Sequence, residues 1–152
     1  MTNSGGGGSS QHVDYCEYHL TTTPEVLALN DDGVTYTPIP NMVLNIGLNF
    51  SVTAGILKYL NGANKFLVNG TSDIEVSKAA DITYALVVNG VPVPTELTTV
   101  SFTASGKKRN ISITAIAVIN QDDLIEIWAK ADGTTGVILT VNKLDVTLVE
   151  VA

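Results

Sequence analysis

The residues with the most reactive side chains lie close to the start of the chain. His12, Cys16 and His19 follow a His-x3-Cys-x2-His spacing, which would bring three potential zinc ligands together on a helix. However, glycines precede this stretch, Thr21-Thr22-Thr23-Pro24 follows it, and no fourth ligand lies nearby. A Cys/His nucleophile would need a cleft and a third group that orients the histidine. We therefore predict neither a metal site nor a nucleophile here.

Acidic side chains are the second candidates for chemistry. Asn30-Asp31-Asp32-Gly33 suggests a calcium loop, but the remaining EF-hand spacing and its distal glutamate are absent, so a turn is favoured. Asp122-Asp123 lies between two predicted strands, where solvation is the ordinary explanation. Nothing else indicates a glycosidase pair, and nucleophile-elbow, phosphate-loop and dinucleotide motifs are absent from the sequence. The sequence therefore predicts no enzyme, no cofactor and no metal.

Charge and hydropathy narrow the classes of partner. The net charge of −7 disfavours nucleic acid, because neutralising phosphates requires clustered lysine and arginine. Lys107-Lys108-Arg109 forms the main basic run and is expected to be a solvated turn. One cysteine cannot form an intrachain disulfide, and no apolar run approaches the ~18 residues of a membrane helix. Met1 to Gly5 lacks a signal-peptide pattern. We expect a soluble protein made in a cytoplasm, without nucleic-acid or membrane partners.

The predicted elements are β-strands. From Leu48 onward, apolar and polar residues alternate with period two. The dipeptides Asn61-Gly62, Asn69-Gly70 and Asn89-Gly90 are each predicted to close a hairpin. Val91-Pro92-Val93-Pro94 must be an edge strand or a connection, because each proline removes a donor from the ladder. We predict an all-β fold, an antiparallel jelly-roll sandwich of about ten strands with an extended N-terminal arm.

The first third of the chain has a different composition. Gly5 to Ser10 is flexible by composition, and it is either a linker added for expression or a natural arm. Pro24, Pro38 and Pro40 exclude helix over much of the following segment. We therefore predict a flexible arm over residues 1–14, an extended docking segment over residues 15–47 and a jelly-roll domain over residues 48–152. The residues expected to anchor the arm are Gly5, Gly6, Gly7, Gly8, His12 and Tyr15.

Some predicted strands carry more apolar side chains than one core face can use. The sole tryptophan, Trp128, falls on the charged face of its strand, while Ile116 and Val118 lie opposite an alanine-rich face. Val149 and Val151 interrupt the polar face of the last strand. Because a strand that is apolar on both faces is covered on both, we predict that these five residues form a subunit interface. The alternative is that the extended N-terminal segment folds back over the second face.

Three stretches resemble a known family. Asn110 to Trp128 contains an alternating strand, a short acidic turn and a strand that ends in an aromatic residue. This order resembles the penultimate strands of trimeric jelly rolls of the tumour-necrosis-factor and complement-globular-head type. Gly136 to Val151 looks like the last strand of such domains in bacteriophage virion proteins, and Lys65–Val68 with Ile74–Val76 looks like their early strand pair. The likeness spans roughly residues 48–151, without the collagen-like stalk, membrane anchor or secretory signal of animal members.

The resemblance implies a homotrimer with a structural role. We expect a virion protein, a trimeric capsid decoration or head-fibre knob whose N-terminal arm docks on the major capsid protein or another virion protein. Its expected location is the capsid or fibre surface. The alternative is a fibre-tip module that binds host carbohydrate or surface protein through Asn69–Asp73, Gly90–Thr95 and Gly106–Asn110. Because one fold hosts many functions, this expectation rests on analogy.

Overall fold

A computed structural model describes residues 13–21 and 24–151, without the side chains of residues 94–97. Over this part of the chain, the backbone forms twelve β-strands and no helix. The strands are β1 Tyr15–Leu20, β2 Glu25–Ala28, β3 Thr37–Pro38, β4 Met42–Leu48, β5 Phe50–Thr53, β6 Ile56–Tyr59, β7 Ala63–Val76, β8 Ala80–Val88, β9 Val91–Phe102, β10 Lys108–Asn120, β11 Leu124–Ala131 and β12 Ile138–Glu150. None of the described segments is a helix long and apolar enough to cross a membrane.

The strands form two antiparallel sheets that pack as a sandwich. The first sheet has the order β10-β7-β12-β1-β4, and β2 also pairs with β12. The second sheet has the order β5-β6-β11-β8-β9, and β3 also pairs with β11. The predicted antiparallel jelly-roll sandwich is confirmed. The count exceeds ten because short strands such as β2 and β3 complete the sheets.

The core lies between the two sheets and follows the period-two alternation. On β10, the odd-numbered positions from Ile111 to Ile119 are buried, whereas the even-numbered positions between them are exposed. Phe50, Tyr59 and Phe66 form an aromatic cluster with ring centroids 5.0–5.5 Å apart. One continuous set of buried side chains therefore joins both sheets.

The turn at Asn89-Gly90 is confirmed as a hairpin between β8 and β9, and both residues have positive φ. A second such turn, Ala54-Gly55 between β5 and β6, was not predicted. Asn61-Gly62 does form a turn, but β6 and β7 lie in different sheets. The hairpin predicted at Asn61-Gly62 is therefore wrong, because this turn carries the chain across the sandwich.

The turn predicted at Asn69-Gly70 is wrong, since both residues lie within β7. An added Cβ on Gly70 would be 2.0 Å from the Asp145 carbonyl oxygen and 2.9 Å from the Cα of Val146. The glycine is needed for the close approach of β12. Asn69–Asp73 is accordingly part of a central strand and not a loop.

The segment from residue 15 to residue 47 belongs to the sandwich. Strand β1 lies between β12 and β4 in the first sheet, and its side chains Cys16 and Tyr18 are buried in the core. The predicted boundary at residue 47 is therefore not present, because β1 to β4 all pair within the two sheets. Strand β9 is an edge strand of the second sheet, as expected for its proline-rich start.

Candidate functional site

The outer face of the first sheet carries a continuous line of apolar side chains, which we call the apolar row. In register across five strands, Ile116 lies opposite Leu67, Leu67 opposite Val149, Val149 opposite Tyr15, and Tyr15 opposite Leu48. Ile116 is 63% exposed, Val149 39% and Tyr15 38%, and the other two are half-buried. Three aliphatic or aromatic side chains of one row are thus open to solvent on a single face.

Four of the five predicted interface residues lie in or beside this row. Val118 is 63% exposed and follows Ile116 on the same face of β10. Val151 is half-buried just after β12, where its N–H donates to the Lys65 carbonyl oxygen at 2.9 Å. The fifth, Trp128, lies on β11 of the second sheet, so the structure does not bring it together with the others.

Trp128 is half-buried on the outer face of the second sheet, between Ala85 on β8 and Pro38 on β3. Its neighbour Lys130 places Nζ 5.1 Å from the ring centroid of Tyr36. Part of the chain before residue 48 therefore lines this face, as the folding-back alternative supposed. The Trp128 indole Nε1 is buried and meets no acceptor among the described residues.

Polar side chains occupy the face beyond the apolar row. The next positions across the sheet are Thr114, Asn69, Thr147 and Glu17, followed by Ser112, Thr71, Asp145 and His19. All of these except Thr114 line an open groove. The side chains of His19 and Lys143 approach the two carboxylate oxygens of Asp145 at 3.9 Å and 3.5 Å. The face therefore changes from apolar at one end to polar and charged at the other.

Cys16 and His19 lie on opposite faces of β1 and cannot share a metal ion. The Cys16 side chain points into the core, where burial raises the pKa of the thiol to about 12. His19 is on the outer face, and His12 lies outside the described residues. Within the described ranges, no group of three or more His, Cys, Asp or Glu side chains is placed to hold a metal ion.

Asp14 lies at the base of β1 and forms a buried polar cluster that the sequence analysis missed. Its side chain is 2% exposed. It accepts hydrogen bonds from Asn49 Nδ2 at 2.6 Å, Tyr59 Oη at 2.5 Å and Asn61 Nδ2 at 3.2 Å. The backbone N–H of Glu150 also donates to the Asp14 carbonyl oxygen at 2.9 Å. We call these five residues the Asp14 cluster, and it fixes where the N-terminal segment enters the fold.

The pattern around Asp14 could have indicated this burial. Cys16, Tyr18 and Leu20 are alternate apolar residues that face the core, and Asp14 continues the same series. A carboxylate in such a position must find donors. Burial is the larger cause and the hydrogen bond to Asp14 the next, and together they raise the pKa of the Tyr59 hydroxyl to about 12. The arm residues Gly5, Gly6, Gly7, Gly8 and His12 lie outside the described residues, and Tyr15 lies in the apolar row.

The acidic turns have local structural roles. Asp32 accepts hydrogen bonds from the side chain and backbone of Thr35 and from the Val34 N–H, and these lower the pKa of its carboxyl to about 2. The predicted turn is therefore confirmed, and the oxygens of the Asp32 carboxylate already accept hydrogen bonds from within the turn. The carboxylate of Asp123 accepts hydrogen bonds from Asn89 Nδ2 and the Asn120 N–H, both at 2.8 Å. Neither site needs an ion to satisfy its oxygens.

The fold has clear relatives among solved structures. The structure of Eiger TNF from S. frugiperda superposes with a TM-score of 0.64 at 11% identity, covering 93% of this chain and 94% of that one. A crystal structure of murine APRIL at pH 8.0 gives a TM-score of 0.53 at 12% identity, covering 90% and 99%. The chain has the tumour-necrosis-factor-like jelly-roll fold. At these identities the likeness establishes the fold alone.

The sequence comparisons add no closer relative. No family model matches the chain, and no curated protein matches it.

Proposed function

We propose that the protein is a non-enzymatic structural protein that assembles as a homotrimer through the outer face of the first sheet. The observation that carries this proposal is the apolar row, which crosses five strands in register. The resemblance of the chain to trimeric jelly rolls of the tumour-necrosis-factor type supports three as the number of subunits. We further propose that the trimer is a decoration or head-fibre knob on the surface of a virion, made in the host cytoplasm.

Burial of the exposed side chains would supply a driving force for assembly. Ile116, Val118, Val149 and Tyr15 are between 38% and 63% exposed. Fully burying one large apolar side chain contributes about 1.5–3 kcal/mol, so partial burial of four contributes several kcal/mol per subunit. In a cyclic trimer each contact is heterologous, so the row of one subunit meets a different surface of its neighbour. A second copy of the chain is therefore the proposed cover.

The position of the Asp14 cluster supports an anchoring role for residues 1–12. Val13 and Asp14 lie at the end of the first sheet that also carries Val118 and Val149. A segment of twelve residues spans at most about 43 Å when extended, at ~3.3–3.6 Å per residue. The proposed arm would leave the knob beside the trimer contact and dock on the major capsid protein or another virion protein.

Two valines of nearly equal exposure provide the matched test of the interface. Val118 is 63% exposed beside the apolar row, and Val91 is 64% exposed on the edge strand β9 of the second sheet. We expect Val118→Asp to dissociate the trimer and Val91→Asp to leave it intact, as measured by light scattering after gel filtration. A trimer in both variants would refute the interface. Loss of capsid binding on removal of residues 1–12, with the trimer retained, would support the arm.

A second function, recognition of a host surface, is favoured by the basic turn. Lys107, Lys108 and Arg109 are exposed at the end of the sandwich opposite Asp14. In a knob anchored through residues 1–12, this end would face outward, whereas Gly90 lies at the anchored end. Saturable binding of the trimer to a glycan array, abolished by Lys107→Glu with Lys108→Glu, would favour recognition. Absence of any binding to glycans or cells would contradict this second function.

A further inference from the structure

The chain contains three Asn-Gly dipeptides in different structural settings, Asn61-Gly62, Asn69-Gly70 and Asn89-Gly90. In such dipeptides the backbone nitrogen of glycine can attack the side-chain carbonyl carbon of asparagine, since glycine has no side chain to obstruct the approach. The attack requires a glycine N–H that is not held in a hydrogen bond and a carboxamide that can rotate. These two requirements separate the three sites.

Asn61-Gly62 meets both requirements. Asn61 and Gly62 are exposed in the turn between β6 and β7. An added Cβ on Gly62 would have no atom within 4 Å, so the space around it is open. The Gly62 N–H makes no hydrogen bond to any described residue. The carboxamide of Asn61 is held by a single hydrogen bond, from Nδ2 to Asp14 Oδ2, whose length of 3.2 Å is at the upper end of the ordinary range.

The other two sites each fail one requirement. Gly70 lies in the central strand β7, paired with Val146 on one side and Ile113 on the other, so its N–H belongs to a ladder. Asn89 is in an open turn, but both ends of its carboxamide are held. Nδ2 donates to Asp123 Oδ1 at 2.8 Å, and Oδ1 accepts from the Leu124 N–H at 2.9 Å.

We propose that Asn61 is a site of spontaneous deamidation that loosens the Asp14 cluster as the protein ages. The Gly62 nitrogen bonds to Cγ of Asn61, the C–N bond to the side-chain amide breaks, and ammonia leaves with the proton from Gly62. Water then opens the cyclic imide at either carbonyl. The product is aspartate or isoaspartate at position 61, and isoaspartate also lengthens the backbone.

The new carboxylate at position 61 would lie next to the buried carboxylate of Asp14. In the unmodified protein, Nδ2 of Asn61 donates to Asp14 Oδ2. After deamidation, a negative charge stands where the donor stood, and two carboxylates at this distance repel one another. Asp14 keeps its donors Asn49 and Tyr59, so the sandwich persists while its first strand is held less tightly. The modification therefore acts on the point where the N-terminal segment enters the fold.

The first experiment compares the three dipeptides in one sample. The full-length protein is incubated at mildly alkaline pH, and isoaspartate and aspartate at each site are quantified by peptide mapping with mass spectrometry. We expect Asn61 to convert several-fold faster than Asn89 and Asn69 to remain intact. The same measurement in denaturant is the control, where all three should convert at similar rates. Conversion of Asn89 before Asn61 in the folded protein would overturn the proposal.

The second experiment tests the consequence with a matched pair of variants. Asn61→Asp imitates the aspartate product, whereas Asn61→Ser removes the amide without adding charge. We expect Asn61→Asp to lower Tm by several degrees more than Asn61→Ser and to speed amide hydrogen exchange at Tyr15. Equal Tm values for the two variants would contradict the proposed effect on the Asp14 cluster. The proposal itself does not rest on trimer formation.

Discussion

Gly70→Ala tests the packing of the first sheet most sharply. The added methyl group would lie 2.0 Å from the Asp145 carbonyl oxygen. To reach an ordinary contact of 3.4 Å, the backbone of β12 must retreat by 1.4 Å, which is the difference between the two distances. Such a shift breaks about two ladder hydrogen bonds at ~0.5–1.5 kcal/mol each. Overpacking adds about 1–3 kcal/mol, so the expected loss is ~2–6 kcal/mol.

Gly106→Ala is the matched control for this prediction. Gly106 has a φ of 71° in a turn, and an added Cβ there would meet nothing within 4 Å. Alanine should therefore cost only the left-handed backbone strain of about 1–2 kcal/mol. The two variants are compared by urea unfolding at one protein concentration, followed by Trp128 fluorescence. A loss for Gly70→Ala no greater than for Gly106→Ala would refute the close approach of β7 and β12.

Two further predictions concern the Asp14 cluster. Asp14→Ala should lower the free energy of unfolding by about 3 kcal/mol or more, because hydrogen bonds to a charged group contribute ~1.5–3 kcal/mol each. Asp14→Asn keeps one acceptor oxygen, so it should lower the free energy of unfolding by less in the same urea assay. If both variants match the wild-type midpoint, the cluster does not stabilise the fold. Since the pKa of Tyr59 is raised to about 12, its contribution is fully present below the unfolded pKa near ~10 and is lost as pH rises toward 12. Wild-type stability should fall over this window more steeply than that of Tyr59→Phe, and parallel curves would contradict the assignment.

The alternation of side chains was sufficient to predict much of the fold. The odd residues of β10 and the exposed positions of Ile116 and Val118 followed directly from period two. Such a pattern assigns a side chain to one face of its own strand, because successive residues point in opposite directions. It does not state which sheet the strand joins. Trp128 was therefore grouped with Ile116 although β10 and β11 belong to different sheets.

The remaining errors arose from contacts between residues distant in sequence. Asn69-Gly70 has the composition of a hairpin turn. However, position 70 needs a glycine because the backbone of Asp145, which lies more than seventy residues away in sequence, leaves no room for a Cβ. Asn61-Gly62 does turn the chain, but the partner strands are decided by tertiary packing. The apolar row is likewise a property of register, since Leu67, Val149 and Tyr15 become neighbours only when the strands pair.

The solution mass of the unmodified protein tests the central proposal most directly. The exposed apolar row on the first sheet supports self-association of a chain of 16.0 kDa. Multi-angle light scattering at micromolar concentration should give three times this mass. On dilution, the measured mass should stay at that of three chains until the concentration is low enough for the trimer to dissociate. A mass of one chain throughout the accessible concentration range would contradict assembly through this face.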